Sequence, residues 1–352
     1  MTQAILSALV HKLEISPEEY KKAERIAADL AYHLANHQGI KARNPQLYIQ
    51  GSFRLGTVVK PIDSDQKFDV DIVCVLAADS KSTITKKELK EEVGKALQNH
   101  PVLGYKFKPK PRCWSIEVDN VFKIDVVPGI PNLDSQNGGI LIQDKDEVRW
   151  QETNPKAYFK WFDEKRKRLL VVKNNVKDAV DMTHLESERR MPLQTAVQIL
   201  KRMRDIHFKD RPDLKPSSIV ITTIAANSYN GEPDVLSALN SIICKMPTYE
   251  SGEIDISYEG ENFANGLSGE ENKDRRNAFI GFLKNTKDLC LRLSQTEYLE
   301  DAKNYISLGF GADIAKSVIH DGDFGLKRRV IGNPQKVYLP QQDMLAKPWK
   351  SH

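Results

Sequence analysis

The stretch Lys67-Phe68-Asp69-Val70-Asp71-Ile72-Val73-Cys74-Val75-Leu76 decides how the chain is read. Its β-favouring residues surround two aspartates placed two positions apart. A strand alternates faces with period two, so Asp69 and Asp71 point to the same side. Two like charges on one sheet face are costly unless a cation neutralises them. Oxygen-only ligands suit a hard ion such as Mg²⁺, which one or two carboxylates hold together with substrate phosphates. The stretch therefore predicts a metal-dependent phosphoryl-transfer site. The bland alternative is the solvated face of a half-buried strand, and an isolated D-x-D does not separate the two.

Two further features do. Gly51-Ser52 follows the strand-like Leu47-Tyr48-Ile49-Gln50 and precedes Phe53-Arg54-Leu55-Gly56-Thr57. Glycine permits a sharp turn there, amides opening a helical turn can bind phosphate oxygens, and the serine hydroxyl is a further donor. Asp125 lies in Val121-Phe122-Lys123-Ile124-Asp125-Val126-Val127, after a hairpin tip expected at Asp119-Asn120 and the run Cys113-Trp114-Ser115-Ile116-Glu117-Val118. A third aspartate on a neighbouring strand would complete a two-metal site.

A strand, Gly-Ser, a short helix, D-x-D on a strand and a lone Asp on a later strand together resemble the polymerase-β-type nucleotidyltransferase superfamily. More narrowly, the chain resembles the cGAS/DncV-like nucleotidyltransferases (CD-NTases) of bacterial CBASS anti-phage systems. The resemblance rests on the spine-like first long helix, Gln50-Gly51-Ser52-Phe53, Phe68-Asp69-Val70-Asp71 and Ile124-Asp125-Val126-Val127-Pro128. It extends through Asn154-Pro155-Lys156-Ala157-Tyr158-Phe159-Lys160-Trp161-Phe162.

The resemblance implies an α+β fold: a mixed sheet with helices, then a mainly helical C-terminal lobe, divided near residues 1–190 and 191–352. It implies joining of nucleoside triphosphates, ATP among them, into a cyclic di- or trinucleotide with release of pyrophosphate. Asp69, Asp71 and Asp125 would be catalytic and would bind two Mg²⁺ (or Mn²⁺) ions, with Asp125 taking the proton of the attacking hydroxyl. Gly51 and Ser52 would bind nucleotide. Lys201 and Ser217-Ser218 match, in order and approximate spacing, a helix lysine and a helix-opening serine that reach the donor triphosphate in related enzymes. Their plainer readings are a solvated lysine and an N-cap serine. A downstream effector and a regulatory protein partner are further implications, while direct activation by nucleic acid is not expected. The competing readings are a transferase acting on RNA, protein or a small molecule, and a nucleotide-binding pseudoenzyme.

Composition narrows the field. The 352 residues carry 52 basic and 48 acidic side chains, a net charge of +4, so nucleotide affinity must come from local clustering. A hydrophobic share of 40% and a charged share of 28% are those of an ordinary globular protein. Cys74, Cys113, Cys244 and Cys290 form no C-x-x-C, which argues against a zinc knuckle or a disulfide framework. The apolar residues Ala4 to Val10 lack a basic leader, so a signal peptide is not expected, nor is a membrane span. A reducing, cytoplasmic setting is the expectation.

Ser16-Pro17-Glu18-Glu19 predicts a capped helix start, and Tyr20, Ala23, Ile26, Ala27, Leu30, Ala31 and Leu34 recur at helical spacing. Residues 85–99 read as an amphipathic helix over the sheet, and Asn154-Pro155 opens another that ends in the basic run Lys165-Arg166-Lys167-Arg168. From Pro192 onward helices are predicted near 192–204, 217–227, 235–246, 270–293, 296–308 and 311–318. Residues 247–269 read as a connector, and the segment after Gly322 as a surface tail. His184, His207 and His320 show no metal-ligand spacing.

Overall fold

The computed structural model describes residues 3–63, 66–101, 107–135, 137–143, 149–168, 190–247, 249, 254–258, 261–322 and 324–328. His184 and the residues from 329 onward lie outside them. The chain opens with α1 (Gln3–Leu13) and α2 (Pro17–Asn36). Ser16 caps α2 in a reciprocal box: its hydroxyl accepts from the Glu19 amide at 3.2 Å, and Glu19 Oε2 accepts from the Ser16 amide at 2.9 Å. After α3 (Gln38–Lys41) come β1 (Gln46–Gln50), the one-turn helix α4 (Gly51–Leu55) and β2 (Phe68–Val75). Helix α5 (Lys86–Gln98) is capped by the same device, built from Thr85 and Glu88.

Strands β3 (Phe107–Pro109), β4 (Trp114–Glu117), β5 (Phe122–Pro131), β6 (Ile140–Gln143) and β7 (Trp150–Thr153) complete the sheet, and α6 (Pro155–Arg166) leaves it. The strand order is β1-β2-β5-β4-β3, with β6 added to β5 and β7 to β6. Among the described strand pairs of this sheet, β2 with β5 is the parallel one. Alternation in β2 divides its two faces. Val70, Ile72 and Cys74 are buried together with Ala27 and Leu30 of α2 and Val93 and Leu97 of α5. Asp69 and Asp71 take the other face.

The helical region comprises α7 (Pro192–His207), α8 (Ser218–Ser228), α9 (Val235–Lys245), α10 (Lys273–Gln295), α11 (Leu299–Phe310) and α12 (Ala312–Asp321). Its core also contains Ile5, Leu6, Leu9 and Leu13. The apolar N-terminal stretch is therefore a packing helix: although α1 precedes the sheet in sequence, it is buried among the C-terminal helices. The expected connector contains a small hairpin, β8 (Ser257–Tyr258) with β9 (Glu261–Asn262). Past Gly322 the chain folds back, with the Leu299 amide donating to the Lys327 carbonyl at 3.0 Å and the Lys327 amide to that of Glu297 at 2.9 Å.

Helix α7 buries basic residues as well as apolar ones, against the plainer reading of Lys201 as a solvated lysine. Lys201, Arg202 and Arg204 are all buried. Its polar side chains donate to successive main-chain carbonyls of residues 55–61. Gln194 reaches Leu55 at 2.8 Å, Lys201 reaches Thr57 at 2.8 Å, Gln198 reaches Val58 at 2.5 Å and Arg202 reaches Lys60 at 2.5 Å. Arg190, just before the helix, adds Gly56 at 3.1 Å. Buried carbonyls must be paired, and a strand ladder does not serve these.

Candidate active site

Parallel pairing of β2 with β5 puts Asp71 directly opposite Asp125, and Asp69 opposite Lys123. Antiparallel pairing of β4 with β5 puts Ser115 on the far side of Asp125. The Asp125 carboxylate accepts from Ser115 Oγ at 2.5 Å and from Lys110 Nζ at 2.8 and 3.1 Å. Asp69 is paired with Lys123 at 2.7 Å, and its side chain is 52% exposed against 16% for Asp125. Burial, and then the negative charge of Asp125, push the Asp71 carboxyl up to about 6, while the ammonium groups of Lys201 and Lys110 act against that rise. Burial also pushes the Cys113 thiol, which hydrogen-bonds to Asp125, up to about 12.

Helix α4 is pressed against this pair. Gly51 has φ +65°, and a β-carbon there would fall 2.3 Å from Asp71 Oδ2. Only glycine satisfies both the left-handed backbone and the close approach. Gly56 ends the helix at φ +68°, where a β-carbon would meet the Gln194 amide nitrogen at 2.3 Å. From behind, Tyr20 of α2 stacks on Phe53 at 5.4 Å and donates its hydroxyl to the Phe53 carbonyl at 3.0 Å. The Ser52 hydroxyl makes no hydrogen bond among the described residues, so it remains available to a ligand.

Lys201 approaches from α7. It is not a solvated lysine: burial first, and the nearby Arg204 second, push its ammonium down to about 7, against the pull of Asp205 and Asp71. Ser218 accepts from Arg204 at 2.8 Å, an arginine that also grips Asp205. Ser217 occupies the N-cap position of α8 without capping through its side chain, and instead borders a pocket of about 910 Å³. Arg112, Arg149, Trp150, Glu261 and Arg275 share that pocket's wall. None of Asp71, Asp125, Gly51 and Lys201 lines that pocket; of the expected nucleotide-binding residues, Ser217 does.

The fold thus brings together Asp71, Asp125, Gly51 and Lys201, with Ser52 on the adjoining helix. Asp69 shares their face, but its carboxylate is drawn aside to Lys123. Among the described residues no three carboxylate, imidazole or thiol groups stand close enough to hold one ion. Ser217 and Ser218 lie at the pocket margin and in the Arg204 contact respectively. Sequence reasoning passed over Lys110, Ser115 and Lys123. The β4–β5 hairpin register, had it been fixed, would have revealed Ser115, and the parallel β2–β5 register Lys123, whereas Lys110 sits on a turn with no pattern to mark it.

The candidate site thus consists of paired aspartates on a mixed sheet, beside a Gly-Ser helical turn and facing a helical region. Residues 1–166 match the family described as the Second Messenger Oligonucleotide or Dinucleotide Synthetase (SMODS) domain. A c-di-GMP synthase of Roseivirga ehrenbergii is 31% identical over 205 residues, which cover 58% of this chain and 54% of that protein. The chain thus spans about half the length of that curated relative. The structure of the CD-NTase CdnG of Bradyrhizobium diazoefficiens in complex with GTP superposes with TM-score 0.72 at 16% identity, covering 90% of this chain and 96% of that one. The complex of CdnC from E. coli MS115-1 with HORMA-deltaN superposes with TM-score 0.60 at 14% identity, over 88% and 96% of the two chains. No helix among the described residues is long and apolar enough to cross a membrane.

Proposed function

We propose that the chain joins nucleoside triphosphates, ATP among them, into a cyclic di- or trinucleotide and releases pyrophosphate at each bond formed. The observation that carries this reading is the registration of Asp71 against Asp125 on adjacent parallel strands, with Gly51 closing on Asp71. A buried like-charge pair of hard oxygen donors fits a divalent cation, and the ammonium groups now resting on Asp125 and Asp69 mark where positive charge is favoured. Asp69, Asp71 and Asp125 would hold Mg²⁺ or Mn²⁺, which neutralises charge developing on the α-phosphate and on the leaving pyrophosphate.

Asp125, steadied by Ser115 and Lys110, accepts the proton of a ribose hydroxyl. The hydroxyl oxygen attacks the α-phosphorus, the bond to the bridging oxygen breaks and pyrophosphate departs. A second attack of the same kind closes the ring. Ser52 and Lys201 are the candidate donors to the triphosphate, with Ser217 on the wall of the pocket that would take a nucleotide and Ser218 beside it, held by Arg204. The product signals to a downstream effector in a cytoplasmic anti-phage response, with a regulatory protein partner of the kind seen on CdnC.

The test is incubation of the purified protein with all four NTPs and Mg²⁺ or Mn²⁺, followed by phosphatase treatment and mass spectrometry. A phosphatase-resistant cyclic mass that disappears in Asp125→Asn is expected. Transfer to an added acceptor, with no cyclic product, would overturn the reading.

A further inference from the structure

The pocket that Ser217 borders is lined by arginines, yet it also holds a carboxylate. The carboxylate of Glu261, in β9, forms no hydrogen bond or ion pair with any described residue, and burial pushes it above the usual range. A half-buried carboxylate without a partner is costly, because its lost hydration is not replaced. On the same wall Arg275, in the first turn of α10, has its Nε buried with no hydrogen-bond partner. Trp150 and Phe263 are among the residues that line the same pocket. A carboxylate and a guanidinium, neither hydrogen-bonded to a described side chain, thus line one cavity of about 910 Å³.

The four bases differ in what they can offer such a site. Guanine carries two adjacent donors, N1–H and the N2 amine, and on its other edge two acceptors, O6 and N7. A carboxylate takes the first pair and a guanidinium the second. Adenine and cytosine each place a ring acceptor next to their single exocyclic amine, and that acceptor would face the carboxylate lone pairs. Uracil has one donor between two carbonyls. Guanine alone matches both groups.

We propose that Glu261 is the specificity-determining residue of this pocket: its carboxylate accepts from N1–H and N2–H of a guanine base, while Arg275 donates to the O6/N7 edge. The proposal names the base for one of the nucleotides in the reading above, and it rests on that reading for the fate of the bound nucleotide. It does not depend on the chemistry for its test.

Calorimetric titration with non-hydrolysable guanosine, inosine and adenosine triphosphate analogues tests it on the wild type, Glu261→Gln and Glu261→Ala. The wild type is expected to bind the guanosine analogue most tightly. Inosine, which lacks the N2 amine, should bind more weakly. Loss of a bidentate base contact corresponds to roughly a five- to hundredfold weakening. Both substitutions should weaken guanosine binding within that range and leave adenosine binding within about twofold. Circular dichroism melts matching the wild type would confirm that each variant is folded. Equal binding of guanosine and adenosine by the wild type, or equal losses for both in Glu261→Gln, would overturn the proposal. Cyclic products made without guanine, and unaltered by Glu261→Gln, would overturn it while leaving the synthase reading standing. Glu261-dependent guanosine binding without pyrophosphate release would do the reverse.

Discussion

Asp71 has Gln50 opposite it on one neighbouring strand and Asp125 on the other, with Gly51 closing above its carboxylate. Its ionisation is opposed by burial and by Asp125, so the carboxyl moves from 3.8 to about 6. Between those values the native state holds a proton that the unfolded chain has lost, so stability falls as pH rises through this window and levels off above it. A gap of this size corresponds to about 3 kcal/mol. Asp71→Asn removes the ionisation. In the presence of a chelator the variant is expected to melt above the wild type at pH 8, with the advantage shrinking through pH 6 and gone by pH 4. Added Mg²⁺ should stabilise the wild type at pH 8 and leave the variant unmoved. Melting curves that run parallel at every pH would show that the carboxylate carries no such load. This residue was legible in the sequence because the period of a strand fixes which face a side chain takes. Its ionisation was not, because that depends on Asp125, more than fifty residues away.

Helix α7 lends the site its rigidity through a row of bonds that no hydrophobic pattern announces. Its apolar positions Leu193, Ala196, Val197 and Leu200 were readable at helical spacing, but its polar face looks, in sequence, like any solvated one. Burial of Gln194, Gln198 and Lys201 follows from the carbonyls of residues 55–61, whose direction is set by the left-handed Gly56. Gln198→Leu keeps the side-chain bulk and leaves the Val58 carbonyl without its donor. The expected cost is about 1–3 kcal/mol, the penalty for stranding a buried polar group. Amide exchange should quicken around residues 55–61, and KM for nucleotide should rise because α4 is anchored by that segment. Unchanged exchange there would mean the clamp is dispensable. The β4–β5 hairpin offers a second lesson. A two-residue turn at Asp119-Asn120 would pair Ser115 with Ile124. In the structure Asp119 Oδ1 accepts from the amides of Val121 at 2.7 Å and Phe122 at 2.8 Å, and the longer turn pairs Ser115 with Asp125. A shift of one residue moves every side chain to the opposite face, so turn length decided whether Ser115 could be placed.

At the scale of the molecule, the two larger hydrophobic cores among the described residues meet across the α7 clamp, and the N-terminal residues belong to both. Helix α2 covers the sheet, whereas α1 is buried among helices that begin almost two hundred residues later. The order of elements along the chain hides this, because the apolar face of α1 shows only that it must be covered and not by what. Leu9 is fully buried in the helical core. Leu9→Ala should cost about 2–5 kcal/mol, the usual price of a cavity at such a site. Native-state hydrogen exchange locates that cost. Amides of α8, in the core that Leu9 joins, are expected to lose protection, while those at the centre of β5 keep theirs if the sheet opens as a separate unit. Loss in β5 with α8 unchanged would place α1 with the sheet and overturn the packing described here. Equal loss in both would show that the clamp makes the two cores unfold as one, and the calorimetric melt of the variant should then be a single transition shifted down by several degrees.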